Sequence, residues 1–282
     1  MAKAKTKRQR KKLILFLVEG QSEKLALGRA IEKVCLDYYH DEVRVELLLM
    51  EDEKQRGGDF TSKYGVKPEK VEELIGKLYF TNFASKYGVY EKDIAEVVHI
   101  VDLDGAFIAD EKVICDKTME AHKKTIYRDD CILACCVDEI IERNHRKSEN
   151  IKKMITMSTV TIKSKKLPYS VYYFSSNLDH YLYGEANLDS DKKCDKAAEF
   201  GDWCEEDPEL FKESFSNSVL TARGKTYQES WEEAFKGVNS LRRHTNLNLF
   251  FEGKMNNNEA QNSEIEQIPE LYDSNSLSAY NK

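Results

Sequence analysis

The chain has 282 residues, of which 41% are hydrophobic and 33% charged, with a formal net charge of −7. It is long enough for one large domain or two modest ones, and no apolar run approaches the roughly 18 residues that a helical bilayer crossing requires, so a soluble protein is expected. Seven scattered cysteines with no CxxC pair and no His at zinc-ligand spacing argue against a zinc module and point to reduced thiols in the cytoplasm.

Residues 1–12 carry Lys3, Lys5, Lys7, Arg8, Arg10, Lys11 and Lys12 and no acid, so a basic flexible arm precedes an acidic body. Such an arm suits phosphates through counterion release, or serves only as a solubilising end. LILFLV (13–18) reads as a buried strand that runs into Glu19 and Gly20. From Ser22, the residues Leu25, Ala26, Ala30, Ile31, Val34 and Cys35 mark one face of a helix. VRVELLLM (43–50) predicts the next strand, and Pro68 with Val71, Leu74, Ile75 and Leu78 behind it predicts a helix within an insertion over about 52–95.

VVHIVDLDG (97–105) is a second apolar strand ending in acids and glycine, with Asp102 and Asp104 at its tip. Residues 130–144 predict a helix with an Asp cap, which would place Cys131, Cys135 and Cys136 of CILACC in core packing. ITMSTVTI (155–162) reads as a short strand and YSVYYFSSN (169–177) as a stronger one. Beyond 187 the pattern turns polar and helical, clearest in ESWEEAFKGVNSLRRH (229–244), and implies a helical C-terminal subdomain over 187–254. Residues 255–282, rich in Asn, Glu and Ser, read as an acidic, polar flexible tail. Strands alternating with helices imply an α/β fold with a mostly parallel sheet flanked by helices.

Glu19, Asp102 and Asp104 converge if their strands are neighbours, and two such charges about 4 Å apart repel by roughly 4 kcal/mol at an effective dielectric of 20. A hard divalent cation relieves that repulsion. Mg²⁺ typically takes one or two carboxylates and keeps waters and substrate phosphate, with Mn²⁺ as a substitute. Gly20 then permits a sharp turn and close approach of a phosphate to the helix start beside Gln21. The plainer alternative is that each acid ends a strand or caps a helix.

FLVEGQSE followed by HIVDLDG resembles the Toprim signature, a Glu-Gly pair after the first strand and an Asp-x-Asp after a later one. The basic arm, and YYFSSNLDHYLYGEANL further on, resemble RloB-like proteins within that group, with Leu178 in place of the family's proline and Asp179 near its Glu. The resemblance implies a Toprim-like catalytic domain over 13–186 with Glu19, Asp102 and Asp104 as metal ligands, and Asp179 and His180 as further catalytic residues. It implies Mg²⁺-dependent cleavage of DNA or tRNA, and the effector role of an anti-phage defence system under an ABC/SMC-type or AAA-type ATPase, in a possible homo-oligomer. Gly20, Gln21, Asn177, Lys163 and Lys165 are the candidate substrate-binding residues, with Lys166, Arg223 and Lys225 as further basic groups for phosphates.

HIVDLDGAF also resembles the nucleophile strand of haloacid-dehalogenase-like phosphatases, with Asp102 as nucleophile and Ala106 where threonine is expected. Thr159, Lys163 and Asp202 or Asp207 are then the candidates for the later motifs. A third reading is a non-catalytic subunit that binds nucleic acid or an ATPase.

Overall fold

The computed structural model describes residues 11–39, 43–49, 60–79, 90–119 and 125–253. Most of the basic arm, part of the 52–95 insertion and the 255–282 tail lie outside the described residues. The first strand, β1 (Lys12–Val18), is followed by α1 (Gln21–Tyr38) and β2 (Val43–Leu49). After α2 (Val71–Tyr79) comes β3 (Ile94–Asp102), then three short strands, β4 (Val113–Cys115), β5 (Thr125–Tyr127) and β6 (Ile132–Ala134). Helix α3 (Val137–Ile155) leads to β7 (Thr159–Ile162) and β8 (Lys165–Phe174), and four helices follow: α4 (Leu178–Tyr183), α5 (Ser190–Glu206), α6 (Pro208–Ser214) and α7 (Tyr227–Ala234).

The main sheet has the order β2-β1-β3-β8-β7. The first four strands run parallel and β7 pairs antiparallel at the edge, so the sheet is mixed but mostly parallel, flanked by helices on both faces. β1 is apolar on both faces because both are covered. Leu13, Leu15 and Leu17 meet α2, α3 and α7 on one face, while Ile14, Phe16 and Val18 meet α1, α5, α6 and Leu247–Phe251 on the other. Among the described residues, no helix is long and apolar enough to cross a membrane.

Chain direction sets the position of any ligand site. The β1–α1–β2 crossover leads to one side of β1, whereas β3 lies on its other side. The connections therefore diverge between β1 and β3, and a crevice opens at the carboxyl ends of these two strands. Glu19 follows β1 and Asp102 ends β3.

Three predicted elements differ. The helix expected over 130–144 begins at Val137, and its first part is strand β6, between β4 and β5 in a second sheet. Ile132 and Ala134 pack there with Ile108, Val113, Ile140 and Leu241, a core of their own that outweighs the helical pattern. Cys131 is buried, but Cys135 and Cys136 are exposed just before α3, not packed in a core. The helix expected over 229–244 stops at Ala234, and Gly237 at φ +54° turns the chain into a 3₁₀ turn at Asn239–Leu241. The residues after 187 do not form a separate core: Trp231 joins the α2/α3 face and Phe250 the α1 face.

The last described segment has a specific task. β7 pairs with β8 only as far as Pro168, and among the described residues the outer edge of β8 beyond it has no strand partner save a bridge from Phe174 to Thr245. Side chains seal that edge. The Tyr227 hydroxyl donates to the Val171 carbonyl at 2.8 Å and accepts from its N–H at 3.3 Å. The Tyr173 N–H donates to Asn246 Oδ1 at 2.8 Å, and the Thr245 hydroxyl donates to the Tyr173 carbonyl at 2.6 Å.

Candidate active site

The carboxyl ends of β1, β3 and β8 and the first turns of α1 and α4 bring together Glu19, Glu23, Asp102, Asp104 and Asp179. Three of them are buried, Glu19 at 7% exposed, Glu23 at 6% and Asp179 at 3%, while Asp102 and Asp104 are half-buried. Asp102 lies on the last residue of β3 and accepts a hydrogen bond from the Leu178 N–H at 3.1 Å, which ties β3 to the start of α4. Burial, followed by the negative charges of Glu23 and Asp104, holds its pKa well above the usual aspartate range. Burial, followed among charges by that of Asp179, likewise raises Glu23.

Two lysines counter this charge. Lys147, from the middle of α3, has no exposed side-chain surface and places Nζ 2.6 Å from Asp104 Oδ2. Lys193, from the first turn of α5, places Nζ 2.8 Å from Asp179 Oδ2. Burial pulls the Lys193 pKa down, but its hydrogen bond to Asp179 and the charges of Asp179, Asp102 and Asp104 outweigh that and raise it. The other Asp179 oxygen, Oδ1, is buried with no hydrogen-bond partner among the described residues. An unpartnered buried carboxylate oxygen is costly and marks a place where a cation or donor belongs.

The backbone here is strained. Asp104 (φ +49°) and Ser176 (φ +59°) are left-handed without being glycine, and Gly105 (φ +71°) extends the turn. Each such non-glycine residue costs on the order of 1–3 kcal/mol and persists only where its surroundings over-determine it. The surroundings do so here: the Asp104 N–H donates to the Ser176 carbonyl at 2.7 Å, and the N–H groups of Gly105 and Ser176 both donate to the Ser240 carbonyl, at 3.2 and 2.8 Å. Arg143 adds a bond from Nη2 to the Asp104 carbonyl at 2.9 Å and another from Nη1 to the Tyr127 hydroxyl at 2.8 Å.

Of the residues expected from sequence, Asp102, Asp104 and Asp179 share one electrostatic cluster with Glu23, and Glu19 follows the neighbouring strand β1. Gly20 is extended (φ −140°), so the turn does not require glycine; an added Cβ would instead lie 2.9 Å from Glu23 Oε2. Gln21 is exposed on the first helical residue. Asn177 is a helix cap rather than a substrate ligand: its Oδ1 accepts from the His180 N–H and its Nδ2 donates to the Ala186 carbonyl, both at 2.9 Å. His180 is buried, which lowers its pKa and keeps it neutral near pH 7, with Asp129 and Arg243 as its charged neighbours.

Lys163 and Lys165 belong elsewhere. They stand at the β7–β8 hairpin, the amino end of β8, whereas Asp102 pairs with Phe174 at the other end. Lys163 pairs with Glu91 at 3.4 Å, and Lys165 bonds to backbone carbonyls of Glu91 and Ile94. The phosphatase set does not assemble either, because Thr159 and Lys163 lie on that hairpin strand and its turn, Asp202 is exposed on α5, and Asp207 caps α6.

Glu23, Lys147 and Lys193 were missed by the sequence reading. Glu23 carried a signal, because it shares the apolar face of α1 with Ala26, Leu27 and Ala30. Lys147 carried one too, between Ile140 and Ile151 on the buried stripe of α3. An ionisable group on a buried stripe calls for a partner. Nothing in the local pattern singles out Lys193.

Among the described residues, no group of three or more His, Cys, Asp or Glu side chains is already arranged to hold a metal ion. The donors are nonetheless hard oxygens in negative excess: burial and neighbouring carboxylates raise the Asp102 pKa, and Asp104 and Asp179 each take a lysine partner. This donor chemistry fits Mg²⁺, which needs only one or two carboxylates. Comparison with models of known families, with curated proteins and with solved structures gave no match.

Proposed function

We propose that this protein is a Mg²⁺-dependent endonuclease of the Toprim type that hydrolyses nucleic-acid phosphodiester bonds. The observation that supports the reading is the position of Asp102 at the β1/β3 switch point, among carboxylates that follow the ends of β1 and β3 and open two helices. Asp102 and Glu19, on neighbouring strand ends, are the residues that would hold the ion. A bound Mg²⁺ supplies charge stabilisation at the phosphate and a more acidic water.

The chain's own groups do the rest. Lys147, wholly buried, fixes the Asp104 carboxylate from below, while the partly exposed Lys193 holds positive charge at the crevice, where it can meet phosphate oxygens. The Ser240 carbonyl and Arg143 fix the Asp104 turn, so that its carboxylate is positioned before substrate arrives. The defence-effector role and the ATPase partner rest on the RloB-like resemblance alone.

The test is cleavage of plasmid DNA and of total tRNA by purified protein with Mg²⁺ or Mn²⁺ against EDTA. Metal-dependent cutting is expected, reduced roughly a hundredfold or more by Asp102→Asn, the loss that follows when several kcal/mol of transition-state stabilisation go. Mn²⁺ should also raise the thermal midpoint of the wild type and not of Asp102→Asn. Cutting that persists in EDTA or in Asp102→Asn would sink the proposal.

A further inference from the structure

Beside the carboxylates, one strand over, lies a cleft of about 350 Å³ lined by Ser175, Lys225, Asn239, Arg242, Arg243 and His244. Its position follows from the backbone. Ser175 stands between Phe174 and Ser176, whose carbonyls accept the N–H groups of Leu103 and Asp104 at 2.9 and 2.7 Å. The Ser175 N–H donates to the His244 carbonyl at 2.8 Å, so the cleft wall and the Asp104 turn are joined through β8.

The charge of the cleft opposes that of its surroundings. The chain is acidic overall, yet three cations face this cleft with a single carboxylate, Glu233. That carboxylate is engaged by Lys236 at 3.0 Å and by Asn239 Nδ2 at 3.0 Å. Arg243 is anchored by bonds from Nε and Nη2 to the carbonyls of Tyr181 and Leu182, at 2.8 and 3.2 Å. The Lys225 ammonium and the Arg242 guanidinium are both exposed and make no side-chain hydrogen bond or ion pair among the described residues. Glu229 and Glu233 act on Lys225 electrostatically, but Glu229 is bonded by Thr226 and Glu233 by Lys236 and Asn239, so both cations stay exposed at a concave surface, a setting that attracts phosphate.

We propose that this cleft binds the nucleic-acid strand next to the bond to be cut, with Lys225 and Arg242 on the flanking phosphates and the polar wall of Asn239 and Ser175 along the sugar. The proposal rests on the endonuclease reading and deepens it: a ligand that spans the Asp104 turn and the cleft must carry successive phosphodiesters, which a lone nucleotide lacks. It also moves phosphate recognition from Lys163 and Lys165 to the carboxyl edge of the sheet.

The experiment is fluorescence anisotropy of labelled single-stranded DNA and RNA oligonucleotides in EDTA, over a range of salt, with the full chain. Lys225→Ala/Arg242→Ala should bind at least about tenfold more weakly. The slope of log affinity against log salt should shrink by about 0.7 per lost phosphate contact. Lys163→Ala/Lys166→Ala removes the same charge at the opposite edge and should bind as the wild type does. Both pairs are exposed, and an unchanged thermal midpoint verifies that each variant folds. Absence of binding by the wild type, unchanged affinity in the first variant, or equal weakening in both would overturn the cleft assignment. Because no metal is present, this result is separate from the cleavage test, which stands or falls on Asp102→Asn.

Discussion

Burial and the charges of Glu23 and Asp104 disfavour the Asp102 anion and raise its pKa. The folded protein therefore binds this proton more tightly than the unfolded chain does. Stability falls as pH rises from the ordinary aspartate range through the raised folded value, and the loss is complete above it. Asp102→Asn keeps an acceptor for the Leu178 N–H and removes the penalty, so it should show a higher thermal midpoint than the wild type at pH 7, with the gain shrinking toward pH 4. A midpoint series across that range checks it. Lys147 behaves in the opposite sense: with its side chain wholly buried against Asp104, Lys147→Met should destabilise by roughly 3–5 kcal/mol in urea unfolding, and adding Asp104→Asn should recover part of that loss. The strand-end acids were legible from sequence because an apolar run broken by a carboxylate is a local pattern. Their lysine partners lie 43 residues from Asp104 and on another helix from Asp179, a relation that only the folded chain reveals.

At the scale of elements, β8 is the informative strand. Its inner edge pairs with β3 through a regular parallel ladder, but much of its outer edge is closed by side chains of Tyr227, Thr245 and Asn246. Asn246 is fully buried, with Nδ2 donating to Ser230 Oγ at 3.1 Å, so Asn246→Leu leaves the Tyr173 N–H without its acceptor. A loss of about 1–3 kcal/mol is expected, together with a tendency to associate through the bared edge, measured by chemical unfolding and light scattering. The parallel strands were readable from their apolar runs. The second sheet was not, because three-residue strands such as Ile132–Ala134 carry too little periodicity to compete with the helical pattern that continues into α3.

Across the whole molecule, the strand order does most to define the site. A β1–β3 neighbourhood was assumed when the carboxylates were grouped from sequence, and the order β2-β1-β3-β8-β7 supplies it. Long apolar strands separated by helices restrict a chain to few parallel arrangements, which is why the α/β class was legible. The placement of the C-terminal third was not, since its polar helical pattern resembles a separate unit, whereas Trp231 and Phe250 complete opposite faces of the one sheet. The basic cleft at its carboxyl edge, built from the Thr221–Lys225 and Asn239–His244 segments, exists only because that third folds back.

The sealing of β8 also bears on biosynthesis. A ribosome delivers β1, β3 and β8 long before it delivers Thr245 and Asn246, so the nascent sheet carries an exposed hydrogen-bonding edge through the synthesis of some 70 further residues, at about 5–20 residues per second. For those seconds the chain is open to strand addition by a neighbouring chain, and a transcript that stops short of Asn246 would leave it in that state permanently.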